Sequence, residues 1–356
     1  MSSSPSQNSN NSVSKEHSIS NLGSSRSTGS ITLEDVAKLA GVSPITVSRV
    51  INHPDKVAQK TIDKVQQAIE RTGYVPNMLA GGLASSRSML VAAIVPSIES
   101  SIFAETIQHF SDRLWEAGYQ VLLGVSGYPS TREDALLSAI LSRRPDAIFL
   151  TGIDHSADSR RKLLAAKIPL VETWDITPSP LDVIVGFSHI KVGQAVADYF
   201  VGKGYKKIGM VTADDQRAGV RRHGFLTALA KHGITEVPTS MVSAPANLSL
   251  GRSGLSKLLD AGFGSGAIFC SSDTLAQGVL AEAQSRGLDI PGELAIMGFA
   301  DQKFAAYTFP SLSTVRIDRV AIGCKAADAL LARMNGEFEV ERVIDVGFEI
   351  IERETT

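Results

Sequence analysis

The sequence lacks the features that would place it in a membrane, in an oxidising compartment or around a metal ion. Only two of its 356 residues are cysteines, Cys270 and Cys324, which provide neither a disulfide framework nor a metal-ligand spacing. No apolar run reaches the roughly 18 residues that a membrane-spanning helix needs. Residues 1–30 are rich in Ser and Asn and lack the apolar core of a secretory signal. We therefore expect a cytoplasmic protein, without membrane contact, whose residues 1–30 form a disordered tail.

A strong net charge is also missing, since the formal value is −2. The charges are unevenly distributed, because residues 1–88 hold nine Lys and Arg against six Asp and Glu, and the rest holds 26 against 31. A mildly basic beginning fits contact with phosphates, although an excess of three charges is within ordinary surface variation. The length predicts two or three domains.

The segment LEDVAKLAGVSPITVSRV predicts two short helices joined by a tight turn. Thr32 precedes the first helix as an N-cap with acidic residues behind it, and Gly41 ends that helix. Ser43 caps the second helix, and Pro44 occupies its first position, where no N–H is needed. This arrangement is typical of the helix-turn-helix motif.

A third helix, predicted over 58–72, presents Ile62, Val65 and Ile69 on one face and completes a domain over 31–74. A small three-helix domain without any ligand is the alternative interpretation of this segment.

In helix-turn-helix geometry the start of the second helix enters the major groove of DNA. Arg49 is then placed to pair with guanine, and Ile45 to contact a thymine methyl group. The residues of this domain predicted to contact bases or phosphates are Thr32, Ser43, Pro44, Ile45, Thr46, Ser48, Arg49, Asn52 and Lys56.

The segment VPNMLAGGLASSRS, residues 75–88, connects this domain to the rest of the chain. Its apolar residues share a helical face, but Gly81 and Gly82 each cost a helix roughly 1 kcal/mol against alanine. Composition alone favours a flexible linker. The alternative is a helix that folds only on DNA, with Leu83 wedged into a base step of the minor groove. The contact residues predicted for that helix are Asn77, Ala80 and Leu83.

From residue 89 to residue 356, short apolar segments rich in β-branched residues alternate with amphipathic helices. This alternation predicts parallel sheets covered by helices, a doubly wound α/β fold. The length suffices for two such lobes, with the break near 187–190. The predicted strands are MLVAAIVPS, YQVLLGVS, DAIFLTG, IPLVETWD, DVIVGFS, KKIGMVTA, GAIFCSS and ELAIMGFAD.

Ligands of open α/β sheets bind at the carboxyl ends of strands, so a cleft between the lobes is the predicted binding site. A single polar residue at such an end is more often a cap or a surface residue, and only the shared location singles these out. The predicted cleft residues are Ser97, Ser101, Phe103, Asp175 and Ser188 in the first lobe and Arg217, Arg221, Ser272, Asp273 and Asp301 in the second. Further residues at the same strand ends are His189, Asp214 and Ala300.

Two segments, TLEDVAKLAGVSPITVSRVIN and VPNMLAGGLAS, resemble the lactose-repressor (LacI/GalR) family of transcription regulators, and the similarity continues to about residue 350. The resemblance implies a homodimeric repressor that bends a near-palindromic operator in double-stranded DNA. It implies that Leu83 is the intercalating leucine of a hinge helix, which favours the helix over the linker. It also implies a body like a periplasmic binding protein, whose last segment crosses back to complete the first lobe.

The resemblance also bears on the ligand. Arg221, in GVRRHGF, stands at the position of the family's effector-clamping arginine. Asp273, in SSDTLAQG, lies in a motif often written Asn-Asp, with Ser272 in place of the asparagine. Ala300 stands where an aspartate commonly binds sugar hydroxyls. Loss of that carboxylate removes repulsion against an anionic ligand, so Arg221, with Arg217, becomes available to a ligand carboxylate.

The segments IPLVETWDITPSPLDVIVGFSH and VPSIESSIFAE are most similar to gluconate-operon repressors within the family. We therefore predict a sugar acid as the effector: gluconate, a phosphogluconate or a ketogluconate. The alternatives are a neutral sugar or a nucleoside, or a ligand that strengthens DNA binding. The last residues, GFEIIERETT, lack a leucine-heptad extension, which favours a dimer over a tetramer.

Two other classes of protein fit the sequence less well. A dinucleotide-dependent enzyme needs its glycine-rich turn after a strand, but Gly262, Gly264 and Gly266 precede one. No nucleophile, base and acid stand at a convincing spacing, so we predict no catalytic residues, no cofactor and no metal. An extracytoplasmic sugar-binding protein would share the body but would not contain a helix-turn-helix.

Overall fold

The computed structural model describes residues 31–75, 87–99, 101–128, 130–337 and 339–356. The chain divides into two compact units between Ser85 and Ser86. The predicted tail, and most of the predicted connector with Asn77, Ala80 and Leu83, lie outside the described residues.

The first unit is a three-helix head. Its helices are α1 (Leu33–Ala40), α2 (Pro44–Asn52) and α3 (Gln59–Thr72), with a short 3-10 turn at Pro54–Lys56. Val36, Val47 and Val65, one from each helix, are fully buried and form the centre of the core. Ile62 and Ile69 pack against it while partly exposed.

Local hydrogen bonds set the helix ends of the head where the sequence predicts them. Thr32 and Asp35 form a reciprocal capping box, in which the Thr32 N–H donates to the Asp35 carboxylate at 2.8 Å. Gly41 ends α1 in a left-handed conformation, with φ of 68°. The Ser43 hydroxyl accepts from the Thr46 N–H at 3.2 Å and starts α2. The helix-turn-helix therefore follows from contacts between residues close in sequence.

The second unit has two lobes, each built on a six-stranded sheet. In lobe 1 the strand order is β11-β5-β4-β3-β1-β2, and all pairs are parallel. Its strands are β1 (Leu90–Val95), β2 (Gln120–Val125), β3 (Ala147–Thr151), β4 (Leu170–Thr173), β5 (Val183–Gly186) and β11 (Val343–Asp345). Its helices are α4 (Ser101–Glu116), α5 (Ser130–Leu141), α6 (Ala157–Ala166) and α11 (Arg319–Met334).

Lobe 2 has the strand order β12-β10-β9-β8-β6-β7, in which only β12 is antiparallel to its neighbour. Its strands are β6 (Ile208–Ala213), β7 (Thr239–Val242), β8 (Gly266–Cys270), β9 (Leu294–Ala300), β10 (Ser313–Arg316) and β12 (Glu349–Ile351). Its helices are α7 (His189–Gly202), α8 (Gln216–Lys231), α9 (Leu248–Asp260) and α10 (Asp273–Ser285), with a 3-10 turn at Lys303–Tyr307.

The chain passes between the lobes three times, after β5, after β10 and after β11. The doubly wound two-lobed fold predicted from the sequence is confirmed, and the first passage falls within the predicted break at 187–190. The final segment departs from the expectation, because α11 and β11 complete lobe 1 but β12 pairs with β10 in lobe 2. The strands that the sequence analysis did not mark, β7, β10, β11 and β12, have only three or four residues each. In the described ranges no helix combines the length and hydrophobicity required to span a membrane.

Candidate functional site

The beginning of α2 presents side chains to solvent. Ile45 is 67% exposed. Pro44 and Arg49 are exposed beside it, and Thr46 and Ser48 are half-exposed. Pro44, Ile45, Ser48 and Arg49 share one face of α2 because they are spaced three or four residues apart, and the buried Val47 and Val50 lie on the other face.

Other predicted DNA-contacting residues of the head have local roles as well. The Thr32 hydroxyl donates to Asp35 at 2.7 Å, and the Ser43 hydroxyl lies 2.9 Å from that of Thr46, so both belong to helix caps. Asn52 donates to the Ser48 carbonyl at 2.9 Å. Lys56 is exposed in the 3-10 turn after α2.

A cavity of about 140 Å³ lies between the lobes of the second unit, at the carboxyl ends of their parallel strands. Six of the predicted residues line it: Ser97, Ser101, Phe103, Arg217, Arg221 and Ser272. His189, a strand-end residue noted in the sequence, lines it too. Lining residues that sequence reasoning missed include Glu99, Tyr128, Trp174, Asp215, Ser271, Thr274, Phe299 and Gln302.

Two predicted residues of lobe 1 do not line this cavity. The Ser188 hydroxyl accepts from the Lys191 N–H at 3.3 Å and caps α7. Asp175 accepts from the Ile176 N–H at 2.8 Å and faces an adjoining recess that Arg217 shares. Burial raises the pKa of Asp175, and the nearby arginines oppose this shift.

Two predicted carboxylates of lobe 2 are also held away from the cavity. Asp273 is fully buried and accepts from the Gln302 N–H at 2.6 Å and the Thr314 hydroxyl at 2.5 Å. Burial raises the pKa of Asp273 to about 6. Asp301 forms ion pairs with Arg316 and Arg353, each at 2.7 Å. Both carboxylates therefore support the loop after β9, because their lone pairs are already used by protein donors.

Arg221 is the dominant charged group of the cavity wall and is only 5% exposed. Its Nη1 donates to His189 Nδ1 at 2.9 Å, and its Nη2 donates to the Ser271 carbonyl at 2.8 Å. The guanidinium carbon lies 3.9 Å from the ring centroid of Phe299. Burial lowers the pKa of Arg221 to about 10, so the side chain stays charged at neutral pH. All of these direct partners are neutral.

Two nitrogen donors of this wall have no acceptor among the described residues, Arg221 Nε and Trp174 Nε1. Buried donors without acceptors are uncommon and costly, and a ligand oxygen is one way to satisfy them. A second cation, Arg217, lies 5.3 Å from the ring centroid of Phe103 on the facing lobe. The wall can therefore accept an anionic group next to aromatic surfaces.

The crossing of α7 and α8 fixes the backbone of Arg221. A Cβ at Gly193 would lie 2.1 Å from the Arg221 carbonyl oxygen, and one at Gly224 would lie 2.3 Å from the Ile190 carbonyl oxygen. The two helices are thus in backbone contact, which only glycine allows at these positions. Paired glycines on consecutive helices were the sequence signal that could have located this contact.

Gln302 links the two lobes at the edge of the cavity. Its Oε1 accepts from the Ser101 hydroxyl of lobe 1 at 3.0 Å, and its Nε2 donates to the Thr274 hydroxyl of lobe 2 at 3.3 Å. Gln302 follows β9 by two residues, so the strand-end rule extended by two positions would have found it.

A helix-turn-helix head, followed by a two-lobed α/β body with a polar cavity between the lobes, defines the class of ligand-responsive transcription regulators. Residues 32–77 match the family profile for bacterial regulatory proteins of the lacI family, and residues 197–356 match that for the periplasmic binding protein-like domain. The chain is 36% identical over 333 residues to the HTH-type transcriptional regulator GntR of Pseudomonas aeruginosa, covering 93% of this chain and 97% of that protein.

Solved structures agree with this relationship. A LacI-family transcriptional regulator from Silicibacter pomeroyi superposes with a TM-score of 0.87 at 34% identity, covering 91% of this chain and 99% of that one. The lac repressor dimer bound to operator shares the fold, with a TM-score of 0.78 at 22% identity over 92% of this chain and 99% of that chain. The protein belongs to the LacI family of bacterial regulators. It is a DNA-binding transcription regulator and not an enzyme.

Proposed function

We propose that this regulator is a repressor that binds a near-palindromic operator as a homodimer. A small sugar acid releases it from the operator. The observation that carries the proposal is the charged, buried guanidinium of Arg221, whose direct partners among the described residues are all neutral. A buried charge is costly unless an opposite charge accompanies it.

Asp215 and Asp175 attract Arg221 electrostatically, but its direct hydrogen-bond partners among the described residues include no carboxylate, and a ligand carboxylate supplies an opposite charge in contact with it. Two unit charges 4 Å apart attract by about 4 kcal/mol at an effective dielectric constant of 20. Arg221 Nε and Trp174 Nε1, which have no acceptor within the described ranges, are donors that carboxylate oxygens can satisfy. Ala300, where the family commonly has an aspartate, is fully buried and brings no carboxylate. The charge of Arg221 therefore attracts the ligand carboxylate, and no carboxylate at position 300 repels it.

The rest of the cavity suits a polyhydroxylated chain. Glu99 and Asp215 balance the two arginines in net charge, and Asp215 already accepts from the Ala218 N–H at 3.0 Å. Aromatic side chains and hydroxyl or amide groups both line the remaining wall, a combination that suits a sugar derivative. The groups that we assign to the hydroxyls and the carbon chain of the sugar acid are Ser97, Ser101, Phe103, Ser272, Phe299 and Gln302.

On the DNA side, we assign the exposed beginning of α2 to the major groove, with Arg49 on guanine and Ile45 on a thymine methyl. Thr46, Asn52 and Lys56, with the capped backbone at Thr32 and Ser43, contact phosphates or neighbouring bases. The connector, with Leu83, remains assigned to the minor groove from the sequence alone. Such a protein acts in the cytoplasm, where the chromosome is accessible.

Exposed apolar side chains of the body support the homodimer. Leu123 and Val125 are exposed on the edge strand β2, and Tyr307 and Phe309 are 87% and 86% exposed in lobe 2. A second copy would cover such side chains, whereas a monomer would leave them in water.

In this mechanism the sugar acid binds one lobe arrangement more tightly than the other. The differential affinity shifts the equilibrium away from the operator-binding state, and the same coupling weakens ligand binding on DNA. Release by ligand fits a regulator of sugar-acid breakdown, since the substrate then induces its own consumption.

The test is calorimetric titration of the full chain with gluconate, 6-phosphogluconate and 2-ketogluconate, alongside a neutral galactoside. We expect binding of at least one sugar acid and loss of operator in a mobility-shift assay with the same compound. Tight binding of the neutral sugar alone would refute the sugar-acid effector. Tighter operator binding with the acid would refute release and indicate co-repression.

A further inference from the structure

His189 occupies the first passage between the lobes. It is the first residue of α7, which begins lobe 2 directly after β5 of lobe 1, and it is 1% exposed. Its ring packs edge to face on Phe187, with centroids 4.6 Å apart. A polar ring at this position connects parts of the molecule that lobe movement would displace.

The hydrogen bonds of His189 fix its tautomer. Nε2 lies 2.8 Å from the carbonyl oxygen of Trp174, which can only accept, so Nε2 carries the hydrogen. Nδ1 lies 2.9 Å from Nη1 of Arg221, which can only donate, so Nδ1 presents a lone pair. The imidazole is therefore neutral. Burial and the two nearby arginines lower its pKa well below the usual value, in agreement with this geometry.

Trp174, His189, Arg221 and Ser271 thus form a continuous chain of hydrogen bonds. It begins at a backbone carbonyl of lobe 1, passes through the imidazole to the guanidinium, and ends at the Ser271 carbonyl of lobe 2. Among the described residues, Nη2 of Arg221 bonds to lobe 2, and lobe 1 is connected to Nη1 through His189. A change in the spacing of the lobes must therefore alter the orientation of Arg221 or break one of these bonds.

We propose that His189 is a positioning residue that couples the effector-binding guanidinium of Arg221 to the position of lobe 1. The inference rests on the proposed function, because it assigns a role in effector response. The two ring nitrogens have different roles. Nδ1 accepts from Arg221 and orients its guanidinium, and Nε2 donates to the Trp174 carbonyl and so couples the ring to the position of lobe 1.

Two substitutions separate these roles. His189→Asn places an amide oxygen near the position of Nδ1, so it retains an acceptor for Arg221 and loses the bond to Trp174. His189→Gln places an amide nitrogen near Nε2, so it retains the donor to Trp174 and leaves Arg221 without its acceptor. His223→Asn is the matched control, because His223 is exposed on α8 two residues after Arg221.

The full chain is titrated with gluconate by calorimetry, and operator affinity is measured with and without saturating gluconate. We expect His189→Gln to raise the gluconate Kd at least tenfold. We expect His189→Asn to keep the Kd within threefold of the wild type while reducing the effector-driven change in operator affinity at least tenfold. Equal effects of the two variants on the Kd, or unchanged release in His189→Asn, would overturn the assignment.

A second measurement does not depend on the effector. Side-chain nitrogen NMR of the unliganded wild type should show an unprotonated Nδ1 and a protonated Nε2 at His189. The Arg221 Nη resonances should be resolved, because of restricted rotation, in the wild type and His189→Asn but not in His189→Gln. The opposite tautomer, or equal Arg221 mobility in all variants, would overturn the positioning role. Failure of the wild type to bind any sugar acid would instead refute the proposed function.

Discussion

The head and the body place their functional side chains under opposite conditions. Ile45 of the head is 67% exposed, whereas Arg221 of the body is 5% exposed. The side chains of the head that we assign to bases lie on one nine-residue helix, while the residues that line the cavity range from Ser97 to Gln302 along the chain. A groove of DNA is read by side chains that project from a rigid support, and a small molecule is held by side chains that surround it.

This difference also decides how each site tolerates change. A substitution on the exposed face of α2 removes a contact with DNA and little else. A substitution around Arg221 alters a network in which every partner is buried, so effects on binding and on stability are mixed.

The largest effect is expected from substitution of Arg221 in the body. Arg221→Met should weaken gluconate binding by roughly 2–5 kcal/mol, since a buried charge partner of the carboxylate is removed. Operator affinity without ligand is measured in parallel, because Arg221 also belongs to the hydrogen-bond chain that joins the two lobes. The measurement is calorimetry on the full chain, with Arg222→Met as the control on the same helix. Equal losses in the two variants would contradict the special role of Arg221.

Backbone contact between α7 and α8 makes the body sensitive to a single methyl group. Gly193→Ala should reduce the free energy of unfolding of the body by roughly 1–3 kcal/mol, because its Cβ would overlap the Arg221 carbonyl. Gly202→Ala on the same helix meets nothing within 4 Å and should be neutral or slightly stabilising. Denaturant unfolding measures the free energy of unfolding of both variants. Equal values would show that α7 and α8 move apart to accommodate the added methyl group without loss of stability.

On the head side, Arg49→Ala should weaken operator binding by roughly 1–3 kcal/mol while leaving gluconate binding unchanged. Fluorescence anisotropy with labelled operator at fixed salt measures the first quantity. Arg49→Lys keeps the charge but loses the planar fork that pairs with guanine. If the lysine variant binds as the wild type does, Arg49 contacts a phosphate and not a base.

The smallest effect is expected at the cap of α2. Ser43→Ala should destabilise the head by about 1 kcal/mol, because the Thr46 N–H loses the hydroxyl acceptor of the cap and keeps only the Ser43 carbonyl at 2.9 Å. Ser43→Asp should restore the cap. Thermal unfolding followed by circular dichroism distinguishes the variants. An alanine variant as stable as the wild type would show that packing alone defines the beginning of α2.

The sequence was sufficient for the head because its determinants are local. Thr32, Gly41 and Ser43 act on residues within five positions of themselves, so the helix boundaries follow from chain order. Alternating apolar segments likewise predicted the long strands of the body. The strands β7, β10, β11 and β12 were missed because their three or four residues show no clear period, whereas β4 and β5, with four residues each, lie within longer apolar segments.

The cavity was predictable only in outline. Strand-end position found Arg221 and Ser101, but it could not separate Arg217, which lines the cavity, from Asp273, which points into lobe 2. Side-chain direction after a strand depends on which donors are near, and these come from distant parts of the chain. Trp174 was not predicted as a cavity residue, because a sequence does not show whether an indole N–H has an acceptor. Only the folded structure shows that none of the described residues accepts from this N–H.

The sequence by itself determined the helix-turn-helix, the two-lobed α/β body and the family to which the protein belongs, since these depend on caps, periods and motifs that neighbouring residues form. The tertiary structure alone decided that Arg221 is buried among neutral partners and that His189 joins it to the opposite lobe. Those contacts join residues up to 50 positions apart, and only the crossing of folded helices and strands brings them within hydrogen-bonding distance.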